Sequence, residues 1–272
     1  MYGLTTKILL CLAIAVPTLG LTGCSSLNVY QRAERPLAAN AYQQVQVQRG
    51  QPRPMIDMAG RVLALPNRIA LGDPRVDNHR VSPQTETAIT NYLEQNGLNS
   101  VLVRSNQYAP RDELKRMIAN KNIRPIWKAT FGNYNLLKYT LLPGRLTGGD
   151  WYNPYSESLH VYSDAPVVAI SRAAYAQDLS SRVNPGAYAA VKDIPVLGLG
   201  HETTAAKLTL GYFENQSPEQ YQEARDILFP SVGASVVGQL ASFVPYGEHV
   251  GKLVGGGIGR LAGKFQDQSQ LR

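Results

Sequence analysis

Thiols, paired histidines and runs of like charge are all scarce in this 272-residue chain. The two cysteines, Cys11 and Cys24, both precede Ser25. Beyond them the chain can form no internal disulfide, thiol nucleophile or cysteine-ligated metal site. The four histidines, His79, His160, His201 and His249, make no HxH or HxxxH pair. A zinc site built from them needs convergence of distant segments. No Lys/Arg run exceeds two residues and the basic residues are scattered, which argues against a nucleic-acid partner. The 27 basic against 20 acidic residues, net +7, suit an anionic surface such as lipid headgroups, or simply a soluble exterior. No glycine-rich phosphate loop follows a strand, and no solenoid-length repeat recurs. With no regular βαβ rhythm either, a doubly wound nucleotide-binding fold is excluded.

What is present starts at the N-terminus. Lys7 precedes ILLCLAIAVPTLGL, an apolar run too short and too proline-interrupted for a membrane span. It ends in LTGC, Leu21 to Cys24, which resembles the bacterial lipobox. That resemblance implies a lipoprotein signal peptide over residues 1–23 and acylation of Cys24, palmitate included. With Ser25 after the cysteine, it implies an outer-membrane anchor facing the periplasm. Loss of Lys7 leaves 26 basic residues against 20 acidic, net +6. Residues 24–59 are rich in Gln, Pro, Arg and Ala and read as a flexible tether, with QQVQVQ as one candidate edge strand.

Residues 60–229 mix helix and strand signals. GRVLALPNRIAL reads as strand-like. SPQTETAITNYLEQNG carries helix punctuation, with Ser82 as N-cap, Pro83 at the first position and Gly97 as stop. NSVLVR reads as a strand, APRDELKRMIANKN as a helix and PIWKATF as a strand or extended segment. GGDWYNPYSESLHVYSD is a turn followed by a short strand, and VVAISRAAYAQD is a helix. After Arg182 come two more helices, HETTAAKLTLGYF and SPEQYQEARDILF, the second capped by Ser217. The sum is an α+β domain with a small sheet and a helical C-terminal half.

Residues 230–272 form a glycine-rich tail. Gly251, Gly255, Gly259 and Gly263 make a GxxxG stripe, which allows close helix–helix contact. The expected partner is SVGASVVGQLASF, folded back over VPYG. The uncharged stretch bracketed by Pro230 and Pro245 is short for a span. A hairpin packed on the domain is therefore expected, with an interfacial or transmembrane pair as alternatives.

The helix at 167–178 places Ser171 and Tyr175 one turn apart on one face, with Arg172 beside them. That is the geometry of the HExxH zinc helix. PGRLTGGDWYNPYSESLHVYSDAPVVAISRAAYAQD resembles a bacterial family of HExxH, gluzincin-like metallopeptidase lipoproteins. In that family a GGDxYNP turn and a YSDxPAIAL segment lead into HExxHAKD. GDPRVDNHRVSP, VRSNQYAPRDELKR and HETTAAKL are similar too, so the likeness runs roughly from Gly60 to Lys264. By that likeness the first metal-binding His falls on Ser171, the catalytic Glu on Arg172 and the second His on Tyr175. Asp178 matches the Asp after the motif, and Glu202 falls at the downstream acidic ligand.

The resemblance thus implies a degenerate member, because serine and tyrosine are poor zinc ligands and Arg172 sets a cation beside the metal position. It implies no cofactor, no catalytic residue, and a binding or structural role in the envelope with a protein partner. Arg172 then either occupies the vacated site, paired with Glu202 or Asp178, or points to solvent. A candidate pocket comprises Asp178, His201, His160, Trp151 and Tyr152. Two alternatives stand beside this reading. One is a hydrolase with a rearranged site near Ser171, His201 and Glu202, although no nucleophile elbow surrounds Ser171. The other is a module that associates with the membrane through the glycine-striped hairpin. DPRVDNH, with Asp73, Asp77 and His79, lacks calcium-loop spacing and reads as a loop held by Asx turns.

Overall fold

The computed structural model describes residues 29–32, 44–142, 144–147, 149–192, 198–241 and 247–270. Cys11, Cys24 and the expected signal segment lie outside them, as do the side chains of Gly251's neighbours His249 and Val250. Four short strands form one mixed sheet in the order β1-β2-β4-β3: Val47–Arg49 (β1), Leu102–Ser105 (β2), Trp151–Asn153 (β3) and Ser158–Val161 (β4). β1 and β4 both run parallel to β2, and β3 turns back antiparallel on β4, Tyr152 opposite Leu159. The turn between them is held where Asn153 Oδ1 accepts the Tyr155 amide at 3.1 Å. β2 and β4 are buried at every position. Strand alternation explains this, since Val103, Leu159 and Val161 enter the apolar core while Arg104 and His160 share the other face, where Glu113 meets both.

Helices cover the sheet. In chain order they are Pro54–Leu63 (α1), Leu65–Leu71 (α2), Pro83–Gln95 (α3), Pro110–Ala119 (α4), Pro125–Trp127 (α5), Asn133–Leu141 (α6) and Gly144–Thr147 (α7). Then follow Pro166–Ser180 (α8), Pro185–Lys192 (α9), Leu199–Glu214 (α10), Pro218–Ala241 (α11) and Gly247–Gln270 (α12). α8 is the central helix: Ala169, Ile170, Ala173 and Ala174 are wholly buried, and it packs on α3, α10, α11 and β3. The small residues of SRAAY are what let these neighbours approach. Ser82 accepts the Thr85 amide at 3.3 Å as the N-cap of α3, and Gly97 beyond its end has φ 66°.

Several elements differ from their sequence readings. GRVLALPNRIAL is helical, not a strand. Pro54 and Pro66 sit in the first turns of α1 and α2, and Gly60 lies so close to its neighbours that a Cβ would be 2.3 Å from the Arg145 carbonyl. PIWKATF is also helical: α5 continues through a π turn at Lys128–Gly132 into α6. Trp127 and Phe131, one turn apart, pack together against the core. Ordered structure begins ahead of Gly60, with β1 as the edge strand and Asp57 of α1 paired to Arg145 at 2.5 Å. Part of the expected tether docks as well, for Arg182 donates to the Tyr30 carbonyl at 2.7 Å. α11 continues across the boundary expected at Pro230, with the proline inside the helix and α12 packed along it, which offsets the lost hydrogen bond and the clash that an interior proline brings.

The tail is a helical hairpin of α11 and α12. A Cβ on Gly255 would lie 2.1 Å from the Gly233 carbonyl oxygen, and one on Gly259 2.2 Å from that of Phe229. Gly263 is looser, 3.6 Å from the Phe229 ring. α12 also packs on α2.

Candidate functional site

α8 sets three side chains at the positions singled out in the sequence. Ser171 donates its hydroxyl to the Val168 carbonyl at 2.8 Å, within its own helix. Arg172 Nη1 donates to Glu202 Oε2 of α10 at 2.9 Å, the two side chains being 24% and 19% exposed. Arg172 therefore meets Glu202 and not Asp178. Glu202 raises the guanidinium pKa above its ordinary value, and Asp150 and Asp77 add to that. Burial opposes ionisation of Glu202, but Arg172 and then Lys192 outweigh it and hold the carboxyl below the usual range.

Asp178 belongs to a different cluster. It binds the Arg182 guanidinium and the Tyr188 hydroxyl, with Arg32 3.7 Å away. Arg182 also lies 4.1 Å over the Tyr188 ring. His201 is packed between Tyr188, 4.0 Å between ring centroids, and Tyr175 at 5.6 Å. It is 1% exposed, and among the described residues its ring nitrogens have no hydrogen-bond partner. Burial, with Lys192 adding to it, lowers its pKa to about 4, so the ring is neutral at physiological pH. His160 lies elsewhere, stacked on Trp151 at 4.5 Å with Nε2 3.6 Å from Glu113.

These placements decide two chemical questions. Among the described residues no group of three His, Cys, Asp or Glu side chains could hold a metal ion. A zinc ion does not fit here: one expected ligand position donates to its own helix, and the neighbouring one carries a paired cation. Ser171 and His201, two residues of the alternative hydrolase site, are not joined by a hydrogen bond: the Ser171 hydroxyl donates to the Val168 carbonyl, and among the described residues the His201 ring nitrogens have no partner.

A cleft of about 270 Å³ opens beside α8. Trp151 and Tyr152, both expected in the pocket, line it together with Tyr175, Asp150 and Lys192. Asp178, His201 and His160 do not line it; burial against Arg182, Tyr188 and Glu113 takes them out of the cleft. Lys192 Nζ sits 4.3 Å over the Tyr175 ring, a cation–π contact.

Asp150 and Asp77 are the pair that the sequence reading passed over as site residues. Asp150 Oδ1 accepts the amides of Tyr162 at 2.6 Å and Ser163 at 3.0 Å. Its Oδ2 is buried without a partner among the described residues. Asp77 Oδ1 accepts the Gly149 amide at 2.8 Å and the Ser163 hydroxyl at 3.4 Å. Burial, then the Asp77 charge, push the Asp150 pKa up to about 7. The signal for this pair was GGD and DPRVD, two turn segments whose aspartates read as ordinary turn formers. One of them is, since Asp73 Oδ1 takes the Arg75 amide at 2.8 Å. Nothing in AYAAVKD marked Lys192.

No family model matches the chain, and comparison with curated proteins and with solved structures finds no match.

Proposed function

We propose that this chain is an outer-membrane lipoprotein whose periplasmic α+β domain is a gluzincin-like metallopeptidase scaffold that has given up metal chemistry for a binding or structural role in the envelope. The observation that carries the reading is the Arg172–Glu202 ion pair. The residue at the catalytic-Glu position of the likeness reaches the residue at its downstream-ligand position, so an internal cation stands where a dication would be held. The cleft beside α8, walled by Trp151, Tyr152 and Tyr175, is what remains to recognise a partner.

Metal analysis of protein purified without added metal tests the dead-enzyme part, and less than a stoichiometric amount of zinc is expected. One tightly bound zinc per chain would overturn it. The variant Ser171→His/Arg172→Glu/Tyr175→His tests the scaffold part and is expected to gain zinc, with Glu202 as its acidic ligand. If the folded variant takes up none, the metallopeptidase likeness fails. Incorporation of labelled palmitate at Cys24 tests the anchor, and no incorporation would sink that part alone.

A further inference from the structure

α1 and α2 are amphipathic in the reverse sense. Their polar side chains face the domain: Asp57 binds Arg145 at 2.5 Å, Asn67 donates to Asp77 at 3.2 Å, and Arg68 donates to the carbonyls of Val76 and Asp77 at 2.8 and 2.7 Å. Every exposed residue from Pro54 to Leu71 is apolar. Met55, Met58, Val62, Leu63, Leu65 and Ile69 are between 48% and 79% exposed. A surface helix in a water-soluble domain has the opposite arrangement, because apolar area left in water is unfavourable. The apolar surface continues onto α12. That helix meets α2 where Gly256 abuts Ala70 and where Arg260 donates to the Ile69 and Ala70 carbonyls at 2.6 and 3.1 Å. Leu253, Val254, Ile258 and Leu261 are exposed there.

We propose that α1, α2 and the exposed side of α12 form an interfacial face that lies on an anionic phospholipid bilayer. Charge selects this occupant. No acidic residue is exposed between Gln51 and Leu71; the one acid there, Asp57, is 8% exposed and ion-paired. Among the described residues the margins of the face carry Arg53, Arg61, Lys252 and Arg260, and the acids Glu219, Glu223 and Asp226 lie past Leu71 at the far end of α2. An apolar wedge with a basic collar complements anionic headgroups over acyl chains. A second copy of this chain, itself net +7, would bring the same arginines against each other. No helix among the described residues is long and apolar enough to cross a membrane, which fits a face that rests on the bilayer. The inference rests on the lipoprotein reading only in placing a bilayer beside the domain.

The test uses the full chain reconstituted into vesicles whose phosphatidylglycerol carries brominated acyl chains. Met58→Trp and Ile69→Trp each introduce an indole into the face, and Thr87→Trp introduces one on α3, outside it; each new indole is read as the difference from the parent chain, which carries Trp127 and Trp151. The indoles at 58 and 69 are expected to shift to the blue and lose most of their emission to bromine quenching. The indole at 87 is expected to stay unquenched. Adding Met58→Asp and Val62→Asp to the Ile69→Trp chain is expected to abolish its quenching while leaving the circular dichroism unchanged. Unquenched emission at 58 and 69 would overturn the proposal. So would a blue shift without lipid that grows with protein concentration, the mark of a second copy, or equal quenching in phosphatidylcholine vesicles. Intact mass reports separately whether Cys24 is acylated, so loss of the lipoprotein reading is distinguishable from loss of this face.

Discussion

Arg172 Nη1 lies 2.9 Å from Glu202 Oε2, joining two core helices at positions 30 residues apart. The pair is about three-quarters buried or more on each side, so it is dearer to break than a surface salt bridge and cheaper than one wholly desolvated.

Glu202→Ala is expected to destabilise the fold by about 1–3 kcal/mol, the range for leaving a charged hydrogen-bond donor unsatisfied in a partly buried place. Arg172→Leu/Glu202→Leu is expected to recover most of that, because no charge is left unpaired. Urea midpoints of the two variants and the parent check this. A double variant no better than Glu202→Ala would show that the pair is incidental to the packing.

Asp150 supplies a pH dependence of definite sign. Its folded pKa, about 7, lies above the ordinary value of 3.8. Between those values the folded state holds a proton that the unfolded state has released, so this contribution falls as pH rises and is fully lost above about pH 7. Asp150→Asn is expected to remove that slope and to raise stability at pH 8 relative to the parent. Denaturation curves taken from pH 4 to 8 on both proteins would contradict this if their slopes coincide.

His201 acts in the opposite direction. Its folded pKa of about 4 lies below the ordinary 6.5. The unfolded chain therefore takes up a proton first, and stability is lost as pH falls from about 6.5 to 4. His201→Phe keeps a ring of similar size against Tyr188 and Tyr175, and is expected to change stability by less than about 1.5 kcal/mol at pH 7.5. At pH 5 it is expected to be more stable than the parent. The same midpoint shift at both pH values would rule out the buried neutral ring as the cause.

The hairpin separates two glycines of one helix. Gly255→Ala puts a Cβ 2.1 Å from the Gly233 carbonyl, whereas a Cβ at Gly257 meets nothing within 4 Å. Gly257→Ala is expected to stabilise by up to about 1 kcal/mol through helix propensity alone. Gly255→Ala is expected to destabilise by forcing α11 and α12 apart. Thermal unfolding that moves the two variants the same way would mean the helices are not in backbone contact.

Local chemistry made some of this legible from the chain alone. Ser82-Pro83 and Ser217-Pro218 announce helix starts, and in the structure Ser82 and Ser217 each accept the amide three residues on. The four-residue glycine spacing on α12 marks the side that meets α11. SRAAY reads as helix on its own, whereas the metallopeptidase likeness offered Glu202 or Asp178 as the partner of Arg172, and the choice of Glu202, 30 residues away on another helix, belongs to the tertiary structure. Sequence alone determined the helix starts, the glycine side of α12 and the helical state of SRAAY, since each is settled within a few turns of helix.

Tertiary structure decided the rest. PIWKATF and GRVLALPNRIAL are apolar runs too short for periodicity to separate strand from helix, and it is packing that makes both helical. The outward apolar face of α1 and α2 follows from where Arg145 and Asp77 stand, which draws the polar side of those helices inward. Asp77 and Asp150 become a pair only because Ser163, two residues beyond β4, donates its hydroxyl to one and its amide to the other, 86 and 13 residues along the chain. His160 and His201 are held in separate clusters for the same reason: contacts between distant segments, not the residues' own preferences, fix which groups share a site.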